Sequence, residues 1–365
     1  MINIGDIVRE LERFAPPVYQ ESYDNARLIT GSLSWQCSGA VLCLDALESV
    51  VDEAIALQCN LIIAHHPIIF SGLKSLTGKN YIEKVIIKAI KNDIAIYAAH
   101  TNLDNVQLGV NHKISERLGL QNLKILDPKK GILKKLYTYV PESHLHQVME
   151  ALFAAGAGQI GNYTECSFSY PGIGTFRGNE EANPFLGQKG LRQQEAEHKL
   201  EVLLDIAVEP MVLNALFSSH PYEEVAYELI TIDNVHKEVG SGMIGELPEA
   251  MDSLNFLKLL KEKMGCATVR HTHLIHSKVQ KIAVCGGAGI FLLPKAIAAG
   301  ADVFVTADVK YHQFFDAEGR ILIADIGHYE SEQFTTALFY DILISKFPNF
   351  ALHLSKVNTN PVNYL

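Results

Sequence analysis

Residues 61–69 read LIIAHHPII, an apolar run that ends on His65 and His66 and then meets Pro67. Two other stretches carry similar side chains at comparable places. HTNLD, with His100 and Asp104, follows IAIYAA, and GHYESE, with His328 and Glu332, follows RILIADI. His328 and Glu332 are four residues apart, so a helix there stands both on one face, one turn apart. That is a spacing for two ligands of one cation or of neighbouring cations. Consecutive strand residues point to opposite faces, so His65 and His66 serve one site only where the chain turns as the strand ends. Pro67 supplies a reason to turn, because it removes a ladder donor and steers His66 toward extended backbone. Imidazoles mixed with carboxylates suit zinc, iron or manganese better than calcium or magnesium. Five ligands, His65, His66, Asp104, His328 and Glu332, exceed the three or four that one catalytic zinc takes. Two divalent ions about 3.5 Å apart, with a bridging carboxylate, would use them all. His100 and His312 are candidates for proton transfer beside such ions.

The elements that must position these residues have an α/β pattern. GAVLCLD, a helix over 47–58 and NLIIA form one βαβ unit, and continuous apolar strands of this kind belong to sheets covered on both faces. A helix YIEKVIIKAIKND, a strand IAIYAA and a helix VNHKISERLGL follow. The C-terminal part repeats the scheme with KIAVCGG, IFLLPKAIAAG, ADVFVTA, RILIAD and one long helix SEQFTTALFYDILISKF. Between them, KKLYTYV, SHLHQVMEALFAAGAG, a strand near Cys166, HKLEVLLDIAV, EPMVLNALFSSH and EVAYELI give a β-α-β-β-α-β order, the split βαβ of ferredoxin-like modules. The fold expected is two similar βαβ-containing halves forming one metal-binding core, residues 1–129 and 233–365, interrupted by a ferredoxin-like insert at 130–232. The glycine-rich SYPGIGTFRGNEEANPFLGQKG is read as a loop, and His220, Glu223 and Glu224 as residues closing a helix at an insert interface. The turn-rich PPVYQESYDNARLITGS declares no purpose. Asp308 and Asp325 are read as turn caps, and CGGAGIF, although it follows a strand and precedes a helix, does not fit a dinucleotide-binding turn; the approach of a phosphate to its glycines is the lesser alternative.

The chain has 365 residues, 48% of them apolar, with 31 basic and 41 acidic side chains for a formal charge of −10. Acidity on this scale argues against a nucleic-acid partner. No run approaches the length of a membrane span and the N-terminus lacks a signal-peptide pattern, so a cytoplasmic protein is expected. Six scattered cysteines without a CxxC spacing read as reduced thiols, mostly in the core.

IIAHHPIIF, YAAHTNLD, VTADVKYHQFFDA and IADIGHYESEQ resemble, in order, the signature stretches of the GTP cyclohydrolase 1 type 2 homologue family. The middle of the chain is similar to the insert of the family's longer bacterial members, which resembles copper-tolerance and nitrogen-regulatory PII-like proteins. The resemblance implies two divalent metal ions on His65, His66, Asp104, His328 and Glu332. It also implies a homohexamer of two trimers around an internal cavity. YDNARLITGSLSWQCSG departs from the DNVGLLVG-like stretch of the family by lacking its usual glycines. The function expected is a metal-dependent hydrolase acting on a nucleotide or a related phosphorylated or cyclic small molecule. The alternative is a non-enzymatic metal-binding or regulatory ring protein that senses a small ligand through its PII-like insert.

Overall fold

The computed structural model describes residues 2–365, and the chain divides into two compact units, Met1–Pro128 with Glu238–Leu365, and Lys129–Lys237. In the first unit, α1 (Ile4–Phe14) buries Ile4, Ile7, Val8 and Leu11, the i, i+3, i+4, i+7 stripe of an amphipathic helix. Then come β1 (Leu28–Thr30), β2 (Ala40–Asp45), α2 (Glu48–Ala56), β3 (Leu61–His66), α3 (Tyr81–Lys91) and β4 (Ala95–Ala98). A one-turn helix α4 (Thr101–Asp104), α5 (Val110–Arg117) and β5 (Gln121–Pro128) complete this part. Asn80 caps α3 by accepting from the Glu83 N–H at 2.9 Å. β2, β3 and β4 are parallel and almost wholly buried, with α2 and α3 packed on them through Val50, Val51, Val85 and Ile86.

The second unit runs β6 (Leu133–Pro141), α6 (Leu145–Ala154), β7 (Ser167–Phe176), β8 (Gln193–Asp205), α7 (Glu209–Ser219) and β9 (Tyr227–Ile232). Its strands form one antiparallel sheet in the spatial order β7-β8-β6-β9. Leu136, Val148, Leu200, Val202, Val212 and Leu216 fill the core between the sheet and its two helices.

The first unit resumes with β10 (Gly240–Asp252), α8 (Ser253–Met264), β11 (Arg270–His271), β12 (Lys278–Val284) and α9 (Leu293–Ala298). β13 (Val303–Thr306), β14 (Leu322–Asp325), α10 (His328–Glu332), α11 (Thr335–Lys346) and β15 (Leu352–Leu354) end the chain. The unit has two sheets, ordered β1-β4-β3-β2-β15 and β11-β14-β13-β12-β10-β5. Each contains a run of three successive parallel strands with an antiparallel strand beside the third. The sheets do not follow the sequence halves: β15, from the end of the chain, pairs with β2, and β5 pairs with β10.

Several expected elements differ. β3 carries NLIIA on through His66, and the single long helix after β14 is two, α10 and α11. SYPGIGTF is strand β7, where a loop was expected. β7 lies at a sheet edge, where a proline without an N–H is tolerated. All six cysteines are free and five are buried. Among the described residues no helix is long and apolar enough to cross a membrane.

Candidate metal centre

Parallel strands present their carboxyl ends on one edge of a sheet, the usual place for a ligand site in α/β folds. Here both sheets of the first unit do so around one cavity of about 740 Å³. β2 ends in Asp45, β3 in His65 and His66, and β4 leads into His100 and α4. From the other sheet come Gly286 and Gly287 after β12, Asp308 after β13, and α10 after β14.

Three imidazoles meet one carboxylate. Glu332 Oε2 lies 3.0 Å from His66 Nε2, 3.0 Å from His328 Nε2 and 3.9 Å from His65 Nε2. The His66 and His328 Nε2 atoms are 3.3 Å apart, and His65 Nε2 is 3.6 Å from Asp104 Oδ1. The five residues expected as ligands are thus neighbours in space. His65 and His66 both reach Glu332 although they are adjacent in a strand, with ring centroids 4.9 Å apart. Two overlapping groups have the spacing of cation ligands: His65, His66 and His100, and His66, His328 and Glu332.

Each ring is oriented from behind through Nδ1. His66 donates to Asp45 Oδ1 at 2.8 Å, His328 to Asp308 Oδ2 at 2.7 Å and His100 to Asp24 Oδ1 at 2.9 Å, while His65 donates to the Ala99 carbonyl at 2.9 Å. This is the outer-shell arrangement that fixes the tautomer of a metal-binding histidine and leaves Nε2 with its lone pair. Single carboxylates at the ends of separate loops have no sequence pattern, and Asp24, Asp45 and Asp308 were not expected in this role. Asp308 holds a ring where a turn cap was expected. Asp325 does cap its turn, accepting from Gly327 N at 3.1 Å and Val309 N at 2.9 Å.

The residues fit a cation for a reason independent of spacing. His65 Nε2 and Asp104 Oδ1 are buried without any hydrogen-bond partner. Because His65 Nδ1 carries the proton given to Ala99, its Nε2 is an acceptor facing another acceptor. Such groups buried unpaired are costly. Electrostatics agree: burial and the charge of Glu332 push the Asp104 carboxyl well above its usual range. Burial alone would raise Glu332 too, but the neighbouring imidazoles, His328 foremost, outweigh that and hold it well below its usual range. Burial lowers His65. It would also lower His66 and His328, but their carboxylate partners prevail and raise them to about 9 and about 11.

Gly287 has φ +60°, and a Cβ there would lie 2.5 Å from Glu332 Oε1. The glycines of CGGAGIF therefore make room for Glu332. Gly287→Ala is expected to lose about 1–2 kcal/mol to backbone strain alone and to displace Glu332. Lower metal content and a lower melting temperature would report it, and wild-type values for both would contradict it.

The turn-rich segment before β1 also finds a purpose. Buried Asp24 accepts from Thr101 N at 2.9 Å and from the Thr101 hydroxyl, besides His100. Burial would raise its carboxyl, and these bonds together hold it far below the usual range. Asp24→Ala strands those donors at the start of α4, and urea unfolding is expected to show a loss of about 2–4 kcal/mol. Asp24→Asn, whose carbonyl still accepts, is expected to lose less.

His100 lines the cavity, whereas His312 is exposed, its ring against Tyr311 and Phe315, and is not among the lining residues. Of HTHLIH, residues 271–276, only His271 lies in the short edge strand β11, and the histidines of the stretch join no cation-spaced group among the described residues.

The Duf34/NIF3 (NGG1p interacting factor 3) family model matches residues 2–361. The chain is 38% identical to the GTP cyclohydrolase 1 type 2 homolog of Bacillus subtilis, over all of this chain and 99% of that one. Among solved structures, a Bacillus cereus protein related to NIF3 superposes with a TM-score of 0.86 at 37% identity, over the whole of both chains. A Staphylococcus aureus protein does so at 0.78 and 30%, over all of this chain and 99% of that one. With a family model spanning nearly every residue and relatives of this likeness, the chain belongs to the Duf34/NIF3 family.

Proposed function

We propose that the centre holds two divalent cations of the zinc, iron or manganese class and serves a hydrolase acting on a nucleotide or a related phosphorylated or cyclic small molecule. The observation that carries the reading is the pair of buried, partnerless acceptors, His65 Nε2 and Asp104 Oδ1, 3.6 Å apart. His65, His66, Asp104, His328 and Glu332 would hold the ions, Glu332 being the carboxylate within reach of three rings. Ions so bound would lower the pKa of a bound water to about 7 and supply a charge that polarises the electrophile. His100, held at Nδ1 by Asp24, keeps Nε2 toward the cavity and takes or returns a proton there. Tyr23, Phe70, Tyr329 and Tyr364 give the cavity aromatic walls for a base ring. The name of the relatives, GTP cyclohydrolase 1 type 2 homolog, supports a nucleotide. The test is turnover by the metal-loaded chain across nucleotides, cyclic dinucleotides and simple phosphoesters, with His65→Ala and Glu332→Ala beside it. Hydrolysis of one class, lost in both variants, is expected. No turnover at all, or turnover kept in both variants, contradicts the reading.

The element order of residues 129–237 and the spatial order β7-β8-β6-β9 support reading that unit as a ferredoxin-like, PII-like insert. The flanking segments are then the two halves of one metal-binding core. A second reading is a non-enzymatic regulatory ring that senses a small ligand through the insert. It is favoured by a cavity of about 750 Å³ that the insert has to itself. Assembly as two trimers rests on the family resemblance, and light scattering tests it: a mass of six chains is expected.

A further inference from the structure

Two motifs that the metal centre leaves unused, SYPGIGTFRG and SHPYEEVAY, meet at the cavity of residues 129–237. β7 and β8 pair with Gly172 opposite Glu197 and Gly174 opposite Glu195. A Cβ on Gly174 would lie 2.0 Å from Glu197 Oε2, so the bare backbone there is what lets the carboxylate lie over the strand. Glu197 is only 8% exposed, yet it lines the cavity. The Tyr222 hydroxyl donates to its Oε1 at 2.8 Å, and among the described residues Oε2 has no hydrogen-bond donor. Phe176, Phe185 and Tyr222 line the same cavity as this carboxylate. The Tyr222 ring centroid is 6.4 Å from that of Phe176 and 6.3 Å from that of Phe185, at 54° and 48°.

Tyr222 is itself fixed. His220 Nε2 donates to the Tyr139 carbonyl at 3.0 Å, and His220 Nδ1 accepts from Tyr222 N at 3.1 Å. Both ring nitrogens are thereby used, so His220 is a positioning residue and no metal ligand. The cation-spaced groups found among the described residues all lie in the other unit, which sets a bare metal ion aside here. The cavity wall carries four carboxylates, Glu181, Glu197, Glu223 and Glu224, against one guanidinium, Arg177, so it selects against anions. A buried carboxylate with aromatic faces around it is suited to a cation that has an apolar body, because ring faces attract charge that the carboxylate neutralises.

We propose that this cavity binds an organic ammonium ion, with its charge against Glu197 and its alkyl body among Phe176, Phe185 and Tyr222. The site depends on neither the hydrolytic nor the sensing reading of the chain. The test uses the full chain in 0.15 M salt, titrated calorimetrically with tetramethylammonium, with spermidine, and with tert-butanol as an uncharged body of similar size. Binding of at least one ammonium probe, and not of tert-butanol, is expected. Glu197→Gln keeps an acceptor for Tyr222 and removes the charge, and should weaken binding at least tenfold while metal content stays at the wild-type value. Phe185→Ala, at a half-exposed ring outside the core of this unit, should weaken it at least threefold and serves if Glu197→Gln fails to fold. Failure of both ammonium probes to bind the wild-type chain, equal binding of tert-butanol, or undiminished binding in the variants would overturn the proposal. Metal content and turnover report separately on the other centre.

Discussion

Glu332→Ala is expected to leave the chain unable to retain its divalent cations and, in the metal-free state, to lower its stability by about 3–5 kcal/mol, the cost of breaking a buried ion pair. Glu332 is 3% exposed and its Oε2 is the one atom that His65, His66 and His328 all approach. Among the described residues, Glu332 is the carboxylate within ion-pair distance of the Nε2 atoms of His66 and His328. The difference between wild type and variant should depend on pH in a defined way. His66 and His328 are raised from the ordinary 6.5 to about 9 and about 11, so their share of the stability is complete below 6.5 and is lost as pH rises through those values. Glu332 is lowered from the ordinary 4.5, so its share is complete above 4.5 and is lost as pH falls below it. The gap should therefore be widest between about pH 4.5 and pH 6.5, narrow below that window, and shrink progressively above it as pH rises toward 9 and 11. Denaturant titrations of the chelator-treated proteins at several pH values measure it. A gap that is flat with pH, or an unchanged metal content, would contradict the assignment of Glu332.

Reloading the chelator-treated wild type with zinc or manganese is expected to raise its melting temperature by roughly 5–10 °C. A ligand that binds only the folded chain stabilises by about 2.7 kcal/mol at one hundred times its dissociation constant. For a unit of this size each kcal/mol moves the midpoint by about 2–4 °C. His65→Ala and Glu332→Ala should lose most of this gain, because each deletes a ligand. Calcium should give little, since the donors include three imidazole nitrogens. A midpoint that ignores zinc and manganese alike would mean that the unpaired acceptors find another partner.

What the sequence made legible follows from how local each signal is. His65, His66, Asp104, His328 and Glu332 stand out because they interrupt or directly follow apolar strands, and strand ends are where α/β folds gather their polar groups. Asp24, Asp45 and Asp308 carry equally definite roles, but each is a lone carboxylate whose partner is set by tertiary structure. Asp45 faces His66 only through the register of β2 on β3, and Asp24 reaches His100 across 76 residues. The departure of YDNARLITGS from its family pattern leaves Asp24 in place, so the loop keeps its link to α4. Strands β5, β10 and β15 escaped notice because their pairings are long-range and, in β10, broken by register shifts. The strand near Cys166 was expected, but its continuation in β7 through Pro171, Gly172 and Gly174 was not, because such residues mark loops more often than strands except at a sheet edge. Gly174 then proved to be what admits Glu197. In the same way Gly287 admits Glu332, a close approach that only coordinates reveal.

The most direct test of the central claim is a count of cations per chain. Chelator-treated wild type and His65→Ala would be dialysed to equilibrium against zinc or manganese, and the bound metal determined by mass spectrometry. Two ions per wild-type chain, and at least one fewer in His65→Ala, is the result predicted. Fewer than one ion per wild-type chain, or equal content in the two proteins, would contradict it.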